Sequence, residues 1–160
     1  MDQPEDRSPW LDPMSVTPRR GSGYPQPFAG QVAGREKRAL GDALGLTQFG
    51  INLVTLPPGA WSSQRHWHAA EDEFIYVLEG EVTLVTDEGE QVLGPGMAAG
   101  FPAGKANGHH LINRSEATAL YLEVGTRAET EVAHYSDIDL MARKEKGRFV
   151  FTRKNGEPCP

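Results

Sequence analysis

From Gln48 onward, glycine, proline and asparagine divide the sequence into short apolar segments, and this punctuation is the strongest constraint on the fold. Polar and apolar residues tend to alternate within the segments, which is the period of a β-strand. The pattern predicts strands with no helix between them, so it favours an antiparallel sandwich or barrel. The predicted strands are residues 48–56, 61–68, 73–79, 81–86, 90–93, 97–101, 108–113 and 118–124.

Composition supports a folded chain rather than a fibrous or disordered one. The 160 residues include 18 glycines and 12 prolines, yet 38% of the chain is hydrophobic. There is no Gly-X-Y period, and apolar runs recur between the turn residues. A chain of this length forms one domain and buries roughly 70% of its unfolded surface. The expected fold class is therefore all-β.

The two ends of the chain differ from its centre. Residues 1–30 contain six prolines, which predicts an extended N-terminal arm. The barrel domain is expected over residues 31–127, and its leading segment, 31–46, resembles a short helix weakened by glycines. Residues 128–160 are interpreted as a C-terminal arm with one strand at 148–153.

Charge and cysteine content limit the classes of partner and the cellular compartment that we expect for this chain. The formal net charge of −6 argues against nucleic acid, because neutralising phosphates requires a basic surface. No apolar stretch approaches the roughly 20 residues of a membrane helix. The N-terminus is acidic and polar, unlike a signal peptide, and the single cysteine, Cys159, suits a reducing compartment. We expect a cytoplasmic protein.

Four of the five histidines occur in two pairs, His66 with His68 and His109 with His110. Residues i and i+2 of a strand share a face, so His66 and His68 project together. Glu73 follows five positions later, across a predicted turn. Two imidazoles and a carboxylate form a plausible metal half-site, although a His pair on a strand is more often exposed or hydrogen-bonded. The sequence alone leaves open whether the second histidine pair meets the first.

Two stretches resemble the two motifs of the cupin family. HWHAAEDEFIYVLEG matches the first motif, and GMAAGFPAGKANGHHLIN is similar to the second. The resemblance implies a double-stranded β-helix, the cupin or jelly-roll barrel, with extended N- and C-terminal arms. The matching residues are His66, His68, Glu73 and Gly80 in the first motif, and Gly96, Pro102, Gly104, a histidine and Asn113 in the second.

Spacing in the second motif leaves two candidates for its histidine. Four residues separate Gly104 from His109, where the motif usually has two, so Asn107 occupies the usual histidine position by count. His109 and Asn113 keep the expected interval, and strand alternation places them on one face and His110 on the other. We therefore assign His109, with His110 as the alternative.

By this resemblance, one divalent transition metal would be held inside the barrel. Three imidazoles and one carboxylate suit Fe(II), Mn(II), Ni(II), Zn(II) or Cu(II), and the ligands alone do not choose among them. Four protein ligands leave positions open for water or substrate, as in catalytic sites. The implied ligands are His66, His68, Glu73 and His109.

Other residues are candidates for the pocket or the surface. Gln64 shares the parity of His66, so it is expected to face the cavity. Gln64 and three aromatic residues are the candidate substrate contacts. Charged residues on either side of the motif are expected to be solvated. The aromatic candidates are Trp61, Phe101 and Tyr121, and the expected solvated residues are Arg35, Lys37, Arg38, Glu71 and Asp72.

Two functions from different classes follow from the resemblance. The first is a metal-dependent enzyme acting on a small polar molecule, as a dioxygenase, decarboxylase, lyase or isomerase. The second is a non-catalytic cupin that binds or senses a small molecule. Fold does not decide between them. Both arms are long for a monomer, and cupin barrels often pair through sheet faces, so a homodimer is expected.

Overall fold

Residues 7–160, which the computed structural model describes, consist mainly of short antiparallel β-strands and contain no helix long and apolar enough to cross a membrane. The one α-helix among them is a single turn, α1, at Leu40–Ala43, and 3-10 turns lie at Pro13–Ser15 and Gly30–Val32. The first six residues of the predicted N-terminal arm lie outside the described residues. The strands are β1 Arg19–Arg20, β2 Glu36–Ala39, β3 Phe49–Leu56, β4 His66–His68, β5 Glu73–Glu79, β6 Val82–Thr86, β7 Gly89–Leu93, β8 Ala98–Phe101, β9 His110–Ile112, β10 Ala119–Thr126, β11 Val132–Tyr135, β12 Met141–Glu145 and β13 Arg148–Thr152.

The strands form two facing layers. One layer is a six-stranded sheet in the order β1-β2-β3-β10-β5-β8. The other combines a four-stranded sheet, β13-β12-β11-β4, with a three-stranded sheet, β7-β6-β9. Two isolated bridges, His66 to His109 and Trp61 to Ile112, join these smaller sheets into one wall. The all-β, double-stranded β-helix expected from the sequence is confirmed.

A dry core fills one end of the space between the layers. Each Val or Leu side chain that is fully buried there contributes roughly 1.5–3 kcal/mol through removal of apolar surface from water. Both layers contribute, so this core holds the sheets together. Its residues are Val54, Leu56, Ala60, Ile75, Val77, Val82, Leu93, Leu111, Ala119 and Tyr121.

A glycine closes the turn between β5 and β6 against this core. Gly80 has a φ of +71°, and a Cβ there would lie 2.8 Å from the carbonyl oxygen of Thr118. Both the left-handed conformation and the close backbone approach require glycine at this position.

The predicted strands match the observed ones closely, except in one case. Seven lie within two residues of their predicted ends, whereas the segment predicted at 61–68 is a strand only at His66–His68. Its first half bends because the amides of Trp61 and Ser62 bond to two different segments, at Gln31 and Leu111.

The terminal segments contain more structure than the sequence pattern indicates. The leading segment contains strand β2 as well as the turn of helix α1. The segment after residue 127 contains β11, β12 and β13 rather than the single strand predicted at 148–153. Strand β12 reads MARKE, which has no apolar alternation to identify it.

The two terminal segments pack against each other in a second apolar cluster. Tyr24 and Phe28 from the N-terminal arm contact a buried group on the C-terminal strands. The ring of Tyr24 lies 5.7 Å from Tyr135 and 5.5 Å from Phe151, centroid to centroid. This cluster lies beside the barrel end opposite the dry core.

Candidate metal centre

Strand β4 and the first residue of β5 bring three polar side chains together between the layers. His66 and His68 project from the same side of β4, and their Nε2 atoms lie 3.1 Å apart. Glu73 approaches from the facing sheet, with its Oε2 at 3.7 Å from Nε2 of His66 and 3.5 Å from Nε2 of His68. The three groups offer ligand atoms that all lie within 4.8 Å of one another.

His109 joins this cluster and His110 does not. His109 pairs with His66 across the two smaller sheets, and its Nε2 lies 2.6 Å from Oε2 of Glu73. His110 projects to the other side, where its Nδ1 donates to the carbonyl of Ser63 at 2.9 Å. Its ring packs edge-on against Trp61, with centroids 4.8 Å apart. The geometry agrees with strand alternation and brings only His109 to Glu73.

Hydrogen bonding at Nδ1 of His66 leaves the lone pair of its Nε2 available to bind a cation. Its Nδ1 lies 2.7 Å from the carbonyl oxygen of Gln64, and a carbonyl can only accept, so Nδ1 carries the proton. The Nε2 atom therefore directs a lone pair at His68 and Glu73. Such a bond to the second nitrogen is how proteins fix the tautomer of a metal-binding histidine.

Distances between the donor atoms of His66, His68 and Glu73 fit a single transition-metal ion, whereas Nε2 of His109 lies 2.6 Å from Glu73, at hydrogen-bond distance. With bonds of about 2.1 Å, neighbouring ligand atoms lie about 3.0 Å apart in an octahedral site and about 3.4 Å apart in a tetrahedral one. The separations of His66, His68 and Glu73, from 3.1 to 3.7 Å, lie close to these values. Three imidazoles and one carboxylate form a donor set for borderline divalent ions.

Burial and charge set the protonation states of the cluster. Burial lowers the pKa of His66 to about 3, so the imidazole stays neutral. Burial would raise the pKa of Glu73, but contacts with His109 and His68 hold it well below its usual value. Burial also opposes protonation of His68, but Glu73 and Glu131 raise its pKa overall. The carboxylate is thus ionised and ready to bind a cation.

A buried carboxylate from the C-terminal segment, that of Glu131, faces the Nδ1 side of the His68 ring. Oε1 of Glu131 lies 3.7 Å from Nδ1 of His68. Three backbone amides, those of Ala69, Ala70 and Val132, donate to the two oxygens of Glu131 at 2.8 to 3.0 Å. Glu131 is therefore fixed in place and can orient the imidazole.

The environment of the neighbouring carboxylate, Glu71, is not the one expected from the sequence. We expected a solvated loop charge, but Glu71 is buried and pairs with Nζ of Lys144. Its Oε1 also accepts from the amide of Ala128 at 3.0 Å. The ion pair forms because β12, a strand absent from the sequence pattern, brings Lys144 over the loop.

The cluster borders a cavity of about 940 Å³, which is within the range of small-molecule sites. The cavity extends between the layers and beneath the terminal segments, where Tyr24 and Tyr135 contribute to its lining. A second cavity of about 260 Å³ shares His68, Phe101 and His109 with the first. The candidate ligands therefore face space on both sides.

Of the four predicted substrate contacts, two line the cavity and two do not. Phe101 lies parallel to His109, with ring centroids 3.6 Å apart, and Tyr121 lines the cavity from a fully buried position. Gln64 instead donates to the carbonyl of Phe28 at 2.9 Å, which anchors the N-terminal arm. Trp61 packs against His110, outside the lining of both cavities.

Sequence reasoning missed a polar group inside the barrel. Glu123 Oε2 accepts from Nζ of Lys37 at 2.7 Å and from Nδ2 of Asn52 at 3.0 Å. Burial would raise the pKa of Glu123, but Lys37 lowers it overall. Parity offered a signal for this residue, because Glu123 is two positions from Tyr121 on a predicted strand.

The cluster of Arg35, Lys37 and Arg38, expected to be exposed, is partly buried immediately before and within β2. Lys37 reaches Glu123, and Arg35 donates to the carbonyl of Ser62 and to that of Gly21, the latter at 2.7 Å. The expectation was wrong because a helix was predicted where the chain forms a strand. That strand, β2, pairs with β3 and directs these side chains inward.

Known proteins share this fold. The Cupin domain family matches residues 52–125. A crystal structure described as a sugar phosphate isomerase of the cupin superfamily, from Silicibacter pomeroyi DSS-3, is 51% identical, with a TM-score of 0.91 over 95% of this chain and 97% of the other. A putative sugar phosphate isomerase from Acidithiobacillus ferrooxidans is 30% identical, with a TM-score of 0.72 over 80% of this chain and 81% of the other.

A more distant neighbour carries a different activity. The polyketide cyclase RemF from Streptomyces resistomycificus is 27% identical, with a TM-score of 0.58 over 73% of this chain and 78% of the other. A search of curated protein sequences gave no match. The fold thus hosts more than one chemistry, and the site has to carry the functional assignment.

Proposed function

The chain belongs to the cupin superfamily, and from that premise we propose that it is a metal-dependent isomerase of a small sugar phosphate. One observation carries the proposal: three imidazoles and a carboxylate converge at the wall of a cavity of about 940 Å³. The residues proposed to hold the ion are His66, His68, Glu73 and His109.

The bound ion would act as a Lewis acid, polarising a carbonyl or hydroxyl oxygen of the substrate. Fe(II), Mn(II), Ni(II), Zn(II) and Cu(II) all suit this donor set, and metal analysis would choose among them. The protein itself supplies a shaped and partly dry cavity, in which electrostatic interactions are stronger than in water.

Isomerase chemistry is supported by the similarity to the Silicibacter pomeroyi protein and by the charge of the cavity. Aldose–ketose isomerisation moves protons within one molecule, so it needs no second substrate. Six carboxylates and five cationic side chains line the cavity, and a divalent ion would make the sum positive. A phosphorylated sugar carries negative charge and hydroxyl groups that match this mixed lining.

Metal binding can be tested on untagged protein purified without chelator. We expect about one transition-metal ion per chain by elemental analysis, lost when His66→Ala and His68→Ala are combined. His110→Ala is the matched control, because His110 faces Trp61, and it should retain the ion. Wild-type protein without metal, or a double variant that keeps it, would overturn the proposal.

Catalysis can be tested by incubating the metal-loaded protein with a panel of aldose and ketose phosphates. Interconversion followed by NMR should disappear in the double variant and after chelation, and return when the ion is restored. Binding of a sugar phosphate without turnover would instead identify the alternative function, a non-catalytic binding or sensor protein.

We also propose that the protein is a homodimer that pairs through the outer face of the six-stranded sheet. Phe74, Tyr76 and Leu78 project outward from β5, and 37 to 43% of each is exposed. Exposed apolar residues in a row on one face are typical of an interaction surface. Sedimentation should give the mass of a dimer for the wild type and of a monomer for Tyr76→Glu. A monomeric wild type would contradict this arrangement.

The remaining expectations concern compartment and macromolecular partners. A single cysteine, Cys159, suits a cytoplasmic setting, and the net charge of −6 argues against nucleic acid. Fractionation of the source cells and a nucleic-acid retention assay would check them.

A further inference from the structure

An ion pair lies inside the barrel, apart from the proposed metal ligands. Only 16% of the Glu123 side chain and 27% of the Lys37 side chain are exposed, and their charged atoms lie 2.7 Å apart. Removing two charges from water costs free energy that their attraction often does not recover, so apolar residues would stabilise the barrel as well or better. The pair is therefore better explained by a role in the cavity than by packing.

Sheet register places Glu123 close to Glu73. Glu123 lies opposite Ile75, two residues from Glu73 on the inner face, whereas Gly125 lies opposite Glu73 itself. Diagonal neighbours of this kind are about 7–8 Å apart. This separation leaves room for a substrate to contact both carboxylates.

The same register keeps the intervening space open. Gly50 pairs with Gly125 across β3 and β10, so neither residue places a side chain beside the two carboxylates, and the group nearest to Gly50 is the Arg127 guanidinium, 3.6 Å from where a Cβ would lie. Tyr121, on the same face as Glu123, is fully buried and lines the cavity beside it.

The other carboxylates of the cavity are already engaged or lie at its rim. Glu73 belongs to the proposed metal site, and Glu71 pairs with Lys144. Asp72 accepts from the amide of Ala103 at 2.7 Å. Asp42, at the rim, pairs with Arg127, and Glu129 is exposed. Glu123 is also paired, with Lys37, but it is the carboxylate on the inner face of the sheet diagonal to Glu73, which is why we consider it for chemistry.

Building on the proposed function, we propose that Glu123 is the base that carries the proton between the two reacting carbons of the sugar phosphate, with Lys37 as its positioning residue. The substrate class is an α-hydroxy aldehyde or ketone bearing a phosphate. Asn52 holds the same oxygen of Glu123 that Lys37 contacts, so the two together fix the carboxylate.

The step balances within one molecule. Glu123 removes the proton from C2 of the aldose, the C–H electrons form the C1–C2 double bond, and the carbonyl electrons move to O1, which takes the hydroxyl proton of O2. Glu123 then returns its proton to C1, where the C1–C2 double-bond electrons take it up, and the electron pair left on O2 forms the C2 carbonyl. One proton has moved between carbons and one between oxygens, with no oxidant or reductant.

Glu123→Gln in the metal-loaded protein tests this role. The amide keeps the shape of the side chain but cannot take the proton, so kcat should fall by about 10²- to 10⁴-fold. Metal content and KM should change little, and deuterium from solvent should no longer enter the substrate carbon. Glu116→Gln, at an exposed carboxylate outside the lining of both cavities, is the matched control and should match the wild type.

Three further variants separate an effect on chemistry from an effect on folding. Glu123→Asp keeps the charge but withdraws the carboxylate by one methylene, so kcat should still fall while the fold is retained. Lys37→Met should lower kcat without loss of metal, and Lys37→Arg should restore part of the activity. Equal activity in Glu123→Asp and wild type would assign the ion pair to stability alone.

Failure of this inference can be distinguished from failure of the proposed function. If wild-type protein interconverts sugar phosphates and Glu123→Gln does so equally well, Glu123 is not the base and the isomerase assignment stands. If the metal-loaded wild type converts none of the panel, both proposals are overturned.

Discussion

Along the inner face of β10, Ala119 is buried in the core, Tyr121 is fully buried but already borders the cavity, and Glu123 and Gly125, farther along the strand, border the cavity from less buried positions. The neighbouring strands change in the same direction. On β5 the inward residues pass from Val77 through Ile75 to Glu73, and on β3 they pass from Leu56 and Val54 to Asn52 and Gly50.

We call these regions the closed end and the open end. The closed end is the dry core around Leu56, Val77 and Ala119, and the open end is the cavity around Glu73, Glu123 and Gly125. Their strands are the same, so the difference lies in side chains alone. The closed end stabilises the fold, and the open end holds charged groups at some cost to stability. Substitutions at the two ends should therefore affect different properties.

The largest expected effect is at the closed end. Leu56 is fully buried, so Leu56→Ala should lower the free energy of unfolding by about 2–5 kcal/mol. Urea denaturation measures the loss, and elemental analysis of the folded fraction should show unchanged metal content. Leu46→Ala, at a leucine that is 36% exposed, is the control and should change stability much less. Metal loss from folded Leu56→Ala would contradict the separation of the two ends.

Two asparagines allow the same substitution to be compared at both ends. Asn113 is fully buried and donates to the carbonyls of Leu56 and Ala117, both at 2.8 Å. Asn113→Ala leaves these groups unpaired and should cost about 1–3 kcal/mol. Asn52→Ala, beside the cavity, should cost less because water can reach Glu123. Equal shifts in the denaturation midpoints would show that the open end is as dry as the closed end.

The closed end was more readily predicted from the sequence than the open end. Strand alternation and turn glycines placed the core strands within two residues of their observed ends. At the open end, strand parity did distinguish His109 from His110. These signals are local, because a strand's period and its turns lie within a few residues.

Long-range pairings at the open end left no such signal. Lys37 reaches Glu123 across 86 residues, and Lys144 reaches Glu71 across 73. Both lysines lie in strands without apolar alternation, so the sequence did not reveal that they turn inward. Gln64 has the parity of His66, yet its amide contacts the N-terminal arm, because the chain bends before β4 begins.

A smaller effect is expected from the carboxylate behind His68. Glu131→Gln removes the charge facing Nδ1 of His68, and losses of such partners typically weaken metal binding by about 10- to 100-fold. Competition with a chelator measures the affinity directly. Glu145→Gln, at an exposed carboxylate of β12, should leave it unchanged. If the metal affinity of Glu131→Gln is unaltered, Glu131 serves only to accept its three backbone hydrogen bonds and does not assist metal binding.

The smallest expected effect is at Gly125, one of the two paired glycines of the open end. A Cβ at Gly125 would meet the carbonyl oxygen of Asp72 at 3.4 Å and Cγ of Glu73 at 3.8 Å, which are ordinary contacts. Gly125→Ala should therefore fold, and restricting the unfolded chain should stabilise it by about 0.4–1 kcal/mol. The added methyl group would occupy space between Glu73 and Glu123, so KM for the sugar phosphate should rise.

Gly94→Ala provides the matched control for this substitution. A Cβ at Gly94 meets no atom within 4 Å, and the residue lies outside the lining of both cavities, so a similar stabilisation should leave KM unchanged. If Gly125→Ala also leaves KM unchanged, the substrate does not occupy the space between the two carboxylates. A rise in KM in Gly125→Ala alone would mean that this glycine keeps the open end empty for a ligand, at the expense of stability that alanine would provide.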